Sequence, residues 1–207
     1  MIDIVVNHNT PALANTMLRL ALNGIKEFHI IKAKNLKDGL SKTKSEFVIY
    51  LGDGIISTNC LTESLDLFHK SSSQFRKLAM VASAVASPKL VRKTFGYLLD
   101  EKGVKPVYKR HSSMPYGIQI GYLPGAILRT SALDAVIPQL KGDDLEDSYR
   151  VSVDFWLTGR MCYINPKTTY VAMNFSSNNR INFIEDPWQD NYMMDELKRS
   201  WKREMVG

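Results

Sequence analysis

Five apolar residues followed at once by a glycine-rich turn constrain this sequence more than any other feature. Phe47 to Leu51 (FVIYL) is rich in β-branched and aromatic residues, and Gly52-Asp53-Gly54 ends the run. A short apolar run bounded by turn residues predicts a buried strand rather than a helix. The turn then places Asp53 at the carboxyl end of a strand, which is the edge where open α/β sheets bind ligands. A plain strand-to-helix turn with Asp53 as helix N-cap fits the same residues equally well.

Strand and helix patterns alternate through the first half of the chain. Ile2 to Val6 and Phe28 to Ala33 predict further strands, and apolar residues at helical spacing lie between them. This alternation predicts an α/β protein with a mostly parallel central sheet flanked by helices. Asp100-Glu101-Lys102-Gly103 lies between two β-patterned runs and predicts a hairpin, hence a small antiparallel element. The sequence also predicts helices over 38–44, from Asn59 or Thr62 to Phe68 and over 131–140. It predicts strands over 118–128, 161–164 and 168–173, and a strand or buried turn over 78–85.

Composition bounds the class of protein. The chain has 207 residues, 44% of them hydrophobic and 23% charged, which is ordinary for a soluble globular domain. A net charge of +6 weakly favours a polyanionic partner or a phosphate-bearing ligand. Cys60 and Cys162 are too few for a disulfide scaffold, and their apolar surroundings suit reduced thiols. The sequence has neither a signal-peptide pattern nor an apolar run of membrane-spanning length, so we expect a cytoplasmic protein with no membrane partner.

Four segments follow one another along the chain: IDIVVNHNTPALANTMLRLAL, KDGLSKTKSEFVIYLGDG, GYLPGAILRTSAL and LEDSYRVSVDFWLTGRMCYINP. In this order they resemble nucleotide-sugar-dependent glycosyltransferases of the GT-A fold, especially the family-2 group. In that family the corresponding segments are the opening strand and helix, the approach to the metal-binding Asp-x-Asp motif, the acceptor-side strand, and the Glu-Asp motif that carries the general base. The resemblance implies one Rossmann-like GT-A domain over 1–207, with a nucleotide-binding half (1–87), an acceptor half (88–175) and a C-terminal tail and helix (176–207).

The resemblance also implies an inverting sugar transfer in which a carboxylate removes the proton of the acceptor hydroxyl. Glu146 or Asp147 is the predicted base, with the register between them open by one residue. Both belong to the acidic cluster 143–147, where neighbouring acids raise one another's pKa. Acids before a helix also stabilise its N-terminus, which is the alternative reading of the same cluster.

The donor, a nucleotide sugar such as a UDP-sugar, is expected at the carboxyl edge of the first strands. The predicted donor-binding residues are Asn7, His8, Asn9, Asp38, Lys42 and Asp53. Relatives hold Mn²⁺ or Mg²⁺ there with Asp-x-Asp, but this chain retains only Asp53 between two glycines. Near the C-terminus, where many relatives have a metal-binding histidine, this chain reads Tyr170-Val171-Ala172-Met173-Asn174. Either Asp53 binds the metal alone, or lysines such as Lys34, Lys37 and Lys42 offset the phosphate charge instead.

A basic stretch over 88–117 is interleaved with tyrosines, a composition that suits a phosphate backbone and stacked bases. A solvated surface and contacts to the donor diphosphate are the competing interpretations. The predicted acceptor-binding residues are Arg92, Lys93, Tyr108, Lys109 and Arg110. Enzymes of this fold that glycosylate hydroxymethylated bases in bacteriophage DNA match this charge, so DNA is one expected acceptor. The alternatives are a glycan or protein acceptor, or a non-catalytic nucleic-acid-binding protein on a degenerate transferase scaffold. The sequence indicates no oligomeric state.

Overall fold

The structure, a computed structural model, is described here for part of the chain. The described residues are 1–6, 13, 16–17, 25, 27–51, 55–57, 60–69, 77–86, 97–100, 103–106, 118–121, 123–142, 151–152, 154–155 and 158–171. The strands in this part are β1 Ile2–Val6, β2 Phe28–Lys32, β3 Phe47–Leu51, β4 Ile55–Ile56, β5 Leu78–Ala86, β6 Tyr97–Asp100, β7 Gly103–Pro106, β8 Ile118–Ile120, β9 Ile127–Arg129 and β10 Met161–Val171. The helices with assigned bounds are α1 Leu36–Leu40, α2 Cys60–His69 and two 3-10 helices, Thr130–Ala135 and Ile137–Gln139.

The main sheet contains seven strands in the order β2-β1-β3-β9-β5-β10-β4. β1 pairs in parallel with both β2 and β3, and β5 pairs in parallel with β10. β9 runs antiparallel between β3 and β5, and β4 runs antiparallel to β10 at the edge. β1, β2, β3, β5 and β10 therefore share one direction, and their carboxyl ends meet at one edge. This is the mostly parallel α/β sheet that the sequence predicts.

The central strands are buried because both faces of the sheet are covered. Every residue of β1 and of β3 is buried, as expected for strands covered on both sides. Alternate residues enter two different apolar clusters: Ile4 and Ile49 pack on the side of α2, whereas Val5 and Val48 pack on the side of α1. The second cluster also contains residues of both 3-10 helices and of the segment around Phe155.

The two α-helices are short and lie on opposite faces. Asn35 caps α1 by accepting a 2.9 Å hydrogen bond from the N–H of Asp38. α2 buries Leu61, Leu67 and Phe68 against the sheet, with the Phe68 ring 5.0 Å from that of Phe47. No helix in the described part of the chain is long and apolar enough to span a membrane.

The predicted hairpin is confirmed. β6 and β7 pair antiparallel, with Asp100 opposite Gly103, and β8 pairs with β6 to complete a separate three-stranded sheet. A two-residue connection between paired strands is the geometry that this turn chemistry favours.

Three predicted elements differ from the structure. Residues 161–173 were expected as two strands, but β10 is one strand with an irregularity between Asn165 and Thr169. The predicted helix over 131–140 consists instead of two 3-10 helices, the second with Pro138 at its start, where the missing N–H breaks no helical hydrogen bond. The strand expected over 118–128 is divided between two sheets, with β8 in one and β9 in the other.

A buried carboxylate holds the amino ends of β1 and β3 together. Asp3 is buried, and its oxygens accept hydrogen bonds from Lys44 N–H (2.6 Å), Ser45 N–H (2.9 Å) and Ser45 Oγ (2.6 Å). The exposed imidazole of His29 lies 3.4 Å from the same carboxylate. Burial alone would raise the pKa of Asp3, but the hydrogen bonds from Ser45, Lys44 and His29 outweigh it and lower that pKa below its ordinary 3.8.

We expect Asp3→Asn to reduce the free energy of unfolding at neutral pH by about 2 kcal/mol, because the carboxylate accepts several buried hydrogen bonds. Since the folded pKa is depressed, this stabilisation is complete above the unfolded pKa and is lost as the pH falls through the folded pKa. Urea unfolding at neutral pH and below about pH 3.8 measures the difference between wild type and variant, which should shrink in acid. Asp134→Asn, at an exposed acid, is the control. An equal difference at both pH values would contradict this account.

Candidate functional site

The predicted donor-binding residues Asn7, His8, Asn9 and Asp53 follow the carboxyl ends of β1 and β3 in sequence. Val6 and Leu51, the last residues of the two strands, are register partners. The chain passes from β1 to β2 on one side and then to β3 on the other, so the strand order reverses at this pair. Such a reversal opens the crevice in which α/β sheets bind ligands. The predicted residues Asn7, His8 and Asn9 follow Val6 in sequence, and Asp53 follows Leu51; all four lie outside the described residues.

The two residues of β4, which follow residues 52–54 in sequence, pair with the end of β10. Ile55 and Ile56 of β4 pair with Val171 and Tyr170 at the end of β10. Just beyond, Ser57 N–H donates to the carbonyl of Thr169 (2.7 Å), and Thr169 N–H donates to Ser57 Oγ (3.0 Å). Residues 52–54 precede Ile55 in sequence, and residues 172–174 follow Val171, its register partner. The sequence pattern missed β4, since two isoleucines are too short a run to indicate a strand.

A tight turn before β9 joins the ends of β3 and β10. The N–H of Gly125 donates to the carbonyl of Tyr50 (2.8 Å), and Ala126 N–H donates to the carbonyl of Leu123 (2.8 Å). Gly125 has φ +77°, and a Cβ at this position would collide with the ring of Tyr170. Only glycine suits both the backbone and the space. Pro124-Gly125 is therefore a turn at the carboxyl edge, as its composition suggests.

A buried chain of hydroxyl and thiol groups connects this turn to α2, β5 and β10. Cys60 Sγ lies 3.1 Å from Ser83 Oγ and 3.8 Å from the carbonyl of Gly125. Ser83 Oγ donates to Thr168 Oγ1 (2.9 Å), which in turn donates to the carbonyl of Asn165 (3.2 Å). These buried polar groups form hydrogen bonds with one another, so they hold α2, β5 and β10 in fixed positions near the carboxyl edge of the sheet. Sequence reasoning did not find it, because its members are far apart in sequence.

Asp38 and Lys42 are the predicted donor-site residues whose positions the structure describes. They lie on and just after α1, near the carboxyl end of β2, and form an ion pair with 2.7 Å between Lys42 Nζ and Asp38 Oδ2. The hydrogen bond from Lys42, followed by that from the N–H of Lys34, lowers the pKa of Asp38. This i,i+4 pair stabilises the helix surface. Binding of the donor by either residue stays a prediction.

The predicted phosphate-facing lysines differ in their surroundings. Lys42 is paired with Asp38, and Lys37 Nζ donates a 2.6 Å hydrogen bond to the carbonyl of Leu140. Both ammonium groups therefore have protein partners. Lys34 is exposed, and its backbone N–H donates a 3.1 Å hydrogen bond to Asp38 Oδ2.

The remaining predicted site residues lie outside the described residues. They are the catalytic candidates Glu146 and Asp147 and the acceptor candidates Arg92, Lys93, Tyr108, Lys109 and Arg110. The described chain on either side of the acidic cluster is well packed, with Leu140 and Val151 buried in the same apolar cluster. Among the described residues, no group of three or more His, Cys, Asp or Glu side chains is placed to hold a metal ion.

Comparison with known proteins gives no family. No protein-family model matches the sequence, and no curated protein matches it significantly. Among solved structures, the crystal structure of Francisella tularensis 2-C-methyl-D-erythritol 4-phosphate cytidylyltransferase is similar to this chain, with a TM-score of 0.42 and 13% sequence identity over 93% of this chain and 98% of that one. These values are too low to transfer any property of that enzyme, so the description of the fold rests on strand order and register.

Neither cysteine has the surroundings of a reactive nucleophile. Cys60 is buried, neither cysteine forms a disulfide, and desolvation by burial raises the pKa of Cys162 to about 12. The nucleophilic form of cysteine is the thiolate. A thiol with this pKa is ionised in only about one molecule in ten thousand at pH 8.

We therefore expect iodoacetamide to label neither thiol of the folded protein at about pH 8, and to label both after unfolding in guanidinium chloride. Mass spectrometry of the two cysteine peptides measures this directly. Rapid labelling of Cys162 in the native protein would show that its thiol is accessible and ionised.

Proposed function

We propose that this protein is a glycosyltransferase that moves a sugar from a nucleotide-sugar donor to an acceptor hydroxyl, with inversion at the anomeric carbon. The observation that carries the proposal is the arrangement of strand ends at one edge of the sheet. Val6 and Leu51 are register partners, and Ile55 and Val171 are register partners. The segments 7–9, 52–54 and 172–174, which correspond to donor-side motifs of the GT-A resemblance, adjoin these residues.

The direction of the strands supports a donor site at this edge. β1, β3 and β10 all point their carboxyl ends toward it, and the turn at Gly125 ties the end of β3 to the end of β10. Rigid strands and a tight turn hold a ligand site more accurately than long loops do. Glycines at 52 and 54 allow a bulky diphosphate to approach the backbone closely.

In the proposed reaction, the acceptor oxygen attacks the anomeric carbon of the donor sugar. A carbon–oxygen bond forms there, while the bond from the anomeric carbon to the phosphate oxygen breaks and its electron pair leaves with the nucleoside diphosphate. Glu146 or Asp147 takes the proton of the acceptor hydroxyl. The products are the glycosylated acceptor, the nucleoside diphosphate and the protonated carboxyl group, and no oxidant or further reactant is needed.

The proposal includes a divalent cation, because the sequence places Asp53 between two glycines directly after β3. Asp53 would supply one carboxylate, and a bound diphosphate would supply further oxygens, which is a common way for proteins to hold Mg²⁺. A bound Mn²⁺ or Mg²⁺ would offset the charge of the departing diphosphate.

We expect Glu146→Gln or Asp147→Asn to lower kcat by about 100- to 10,000-fold, because the amide cannot accept the proton. The KM for the donor should stay unchanged. The assay follows labelled nucleotide sugars for hydrolysis and transfer, with and without Mn²⁺. Asp66→Asn, at an exposed acid on α2, is the control.

Wild-type rates in both amide variants would place the base elsewhere. If the wild-type protein neither hydrolyses nor transfers any donor sugar but binds DNA, the non-catalytic nucleic-acid-binding function replaces the proposal.

For the acceptor, we propose a hydroxymethylated base in DNA, supported by the basic, tyrosine-containing composition of 88–117. Binding to duplex DNA should weaken with salt, with a log-log slope of about −0.9 for each phosphate contact. Alanine replacement of Arg92, Lys93, Lys109 and Arg110 should flatten the slope and weaken binding to all sequences alike.

The matched control for this salt titration removes the same charge from four exposed residues elsewhere, Lys32, Lys44, Lys77 and Arg160. Equal slopes for the two variants would show that 88–117 makes no specific phosphate contacts. Undetectable binding at low salt would leave a glycan or protein as acceptor.

A further inference from the structure

A contact distant in sequence holds the chain just before the acidic cluster. Leu140 is the C-cap residue of the 3-10 helix Ile137–Gln139. Its carbonyl accepts a 2.6 Å hydrogen bond from Lys37 Nζ on α1. Carbonyls at helix ends lack partners within the helix, and a lysine side chain is well suited to satisfy one. The two residues are 103 positions apart, and the bond is partly buried.

Packing around this bond fixes the next residues as well. Leu140 belongs to the same buried cluster as Leu36 and Leu40 of α1. Gly142 has φ +94°, and a Cβ there would lie 3.2 Å from Nδ2 of Asn35, the residue that caps α1. The chain at 140–142 therefore lies against the first turn of α1, one residue before Asp143.

The chain is held again on the far side of the acidic cluster. Val151 is buried, and Ser152 Oγ accepts a hydrogen bond from Gly121 N–H (3.2 Å) and lies within 3.3 Å of the carbonyl of Gly121. Both residues have helical backbone. Glu146 and Asp147 thus belong to an eight-residue segment, 143–150, with a packed anchor before it and another after it.

We propose that Lys37 is a positioning residue for the acids of this segment, so that the nucleotide-binding half sets the place of the general base. This inference rests on the proposed transferase function. A base must lie within hydrogen-bonding reach of the proton it removes. A displacement of about 1 Å can cost about 100-fold in rate, even when the change is far from the reacting atoms.

Donor affinity and kcat distinguish a positioning role of Lys37 from direct binding of the donor phosphates by its side chain. A lysine that binds the donor diphosphate contributes to donor affinity, so its loss raises the dissociation constant of the donor. A lysine that holds the acidic segment contributes to the rate of the chemical step, so its loss lowers kcat and leaves donor affinity unchanged. The 2.6 Å bond to Leu140 favours the second role.

The test compares three variants with wild type. Lys37→Met nearly keeps the length of the side chain but removes its hydrogen-bonding ammonium group, whereas Lys37→Arg retains an N–H group. Lys44→Met replaces an exposed lysine whose backbone N–H, kept in the variant, donates to Asp3. We expect Lys37→Met to lower kcat by about 10- to 100-fold with an unchanged donor dissociation constant. Lys37→Arg should restore part of the rate, and Lys44→Met should match wild type.

Hydrogen–deuterium exchange supplies a readout that does not need activity. Peptides covering 141–150 should exchange faster in Lys37→Met than in wild type, less so in Lys37→Arg, and unchanged in Lys44→Met. Gly142→Ala disturbs the same contact between 140–142 and α1, because φ at this position is positive and the new Cβ would crowd Asn35. This variant should also exchange faster over 141–150, and it replaces Lys37→Met if that variant does not fold.

Unchanged exchange in folded Lys37→Met would overturn the inference, and so would a raised donor dissociation constant with an unchanged kcat. An inactive wild-type protein would overturn the transferase function alone. Faster exchange over 141–150 would then still show that Lys37 holds the acidic segment.

Discussion

The parallel pairing of β1 with β3 is the interaction on which the rest of the structure depends. Both strands are fully buried, and their alternate side chains enter the two apolar clusters that cover the sheet. At one end, the carboxylate of Asp3 satisfies the backbone of Ser45 and keeps the strands aligned. At the other end, the register fixes Val6 beside Leu51. A slip of one residue would turn every side chain to the opposite face, so the register is strongly specified.

Hydrogen bonds between residues far apart in sequence hold the segments at the carboxyl edge of this sheet in place. Tyr50 accepts from Gly125, and Ser57 and Thr169 exchange hydrogen bonds beside β4. The bond from Lys37 to the carbonyl of Leu140 makes a similar link on the other face. Each contact joins residues that are far apart in sequence. Each also gives a hydrogen-bond partner to a backbone group, whose burial without a partner would cost free energy. The described part of this edge is thus held by hydrogen bonds to backbone groups as well as by the side-chain bonds of Cys60, Ser83 and Thr168.

The central strands could be predicted from sequence because local chemistry agrees with the fold. Phe47 to Leu51 is β-branched and aromatic, it is flanked by turn residues, and its strand bounds match. β4 and the continuity of β10 could not be predicted, since Ile55 and Ile56 form too short a pattern and Pro166 suggests a break. For the site, the sequence predicts Asp53 at the end of β3, and its position stays a prediction. The partners of Lys37 and Ser83 depend on tertiary packing, which no local pattern encodes.

The irregularity of β10 has a consequence for how this strand tolerates changes in length. Asn165 pairs with Ser83 and Thr169 pairs with Ala84, so three residues are looped out between consecutive rungs of the ladder. Tyr163 and Tyr170 consequently face the same apolar cluster although seven positions separate them. Excising the three-residue insert as a unit would leave every later side chain on its present face. Such a chain would also lose the hydroxyl of Thr168 and leave the buried hydroxyl of Ser83 without this partner, so the insert supplies a polar contact as well as a change in length.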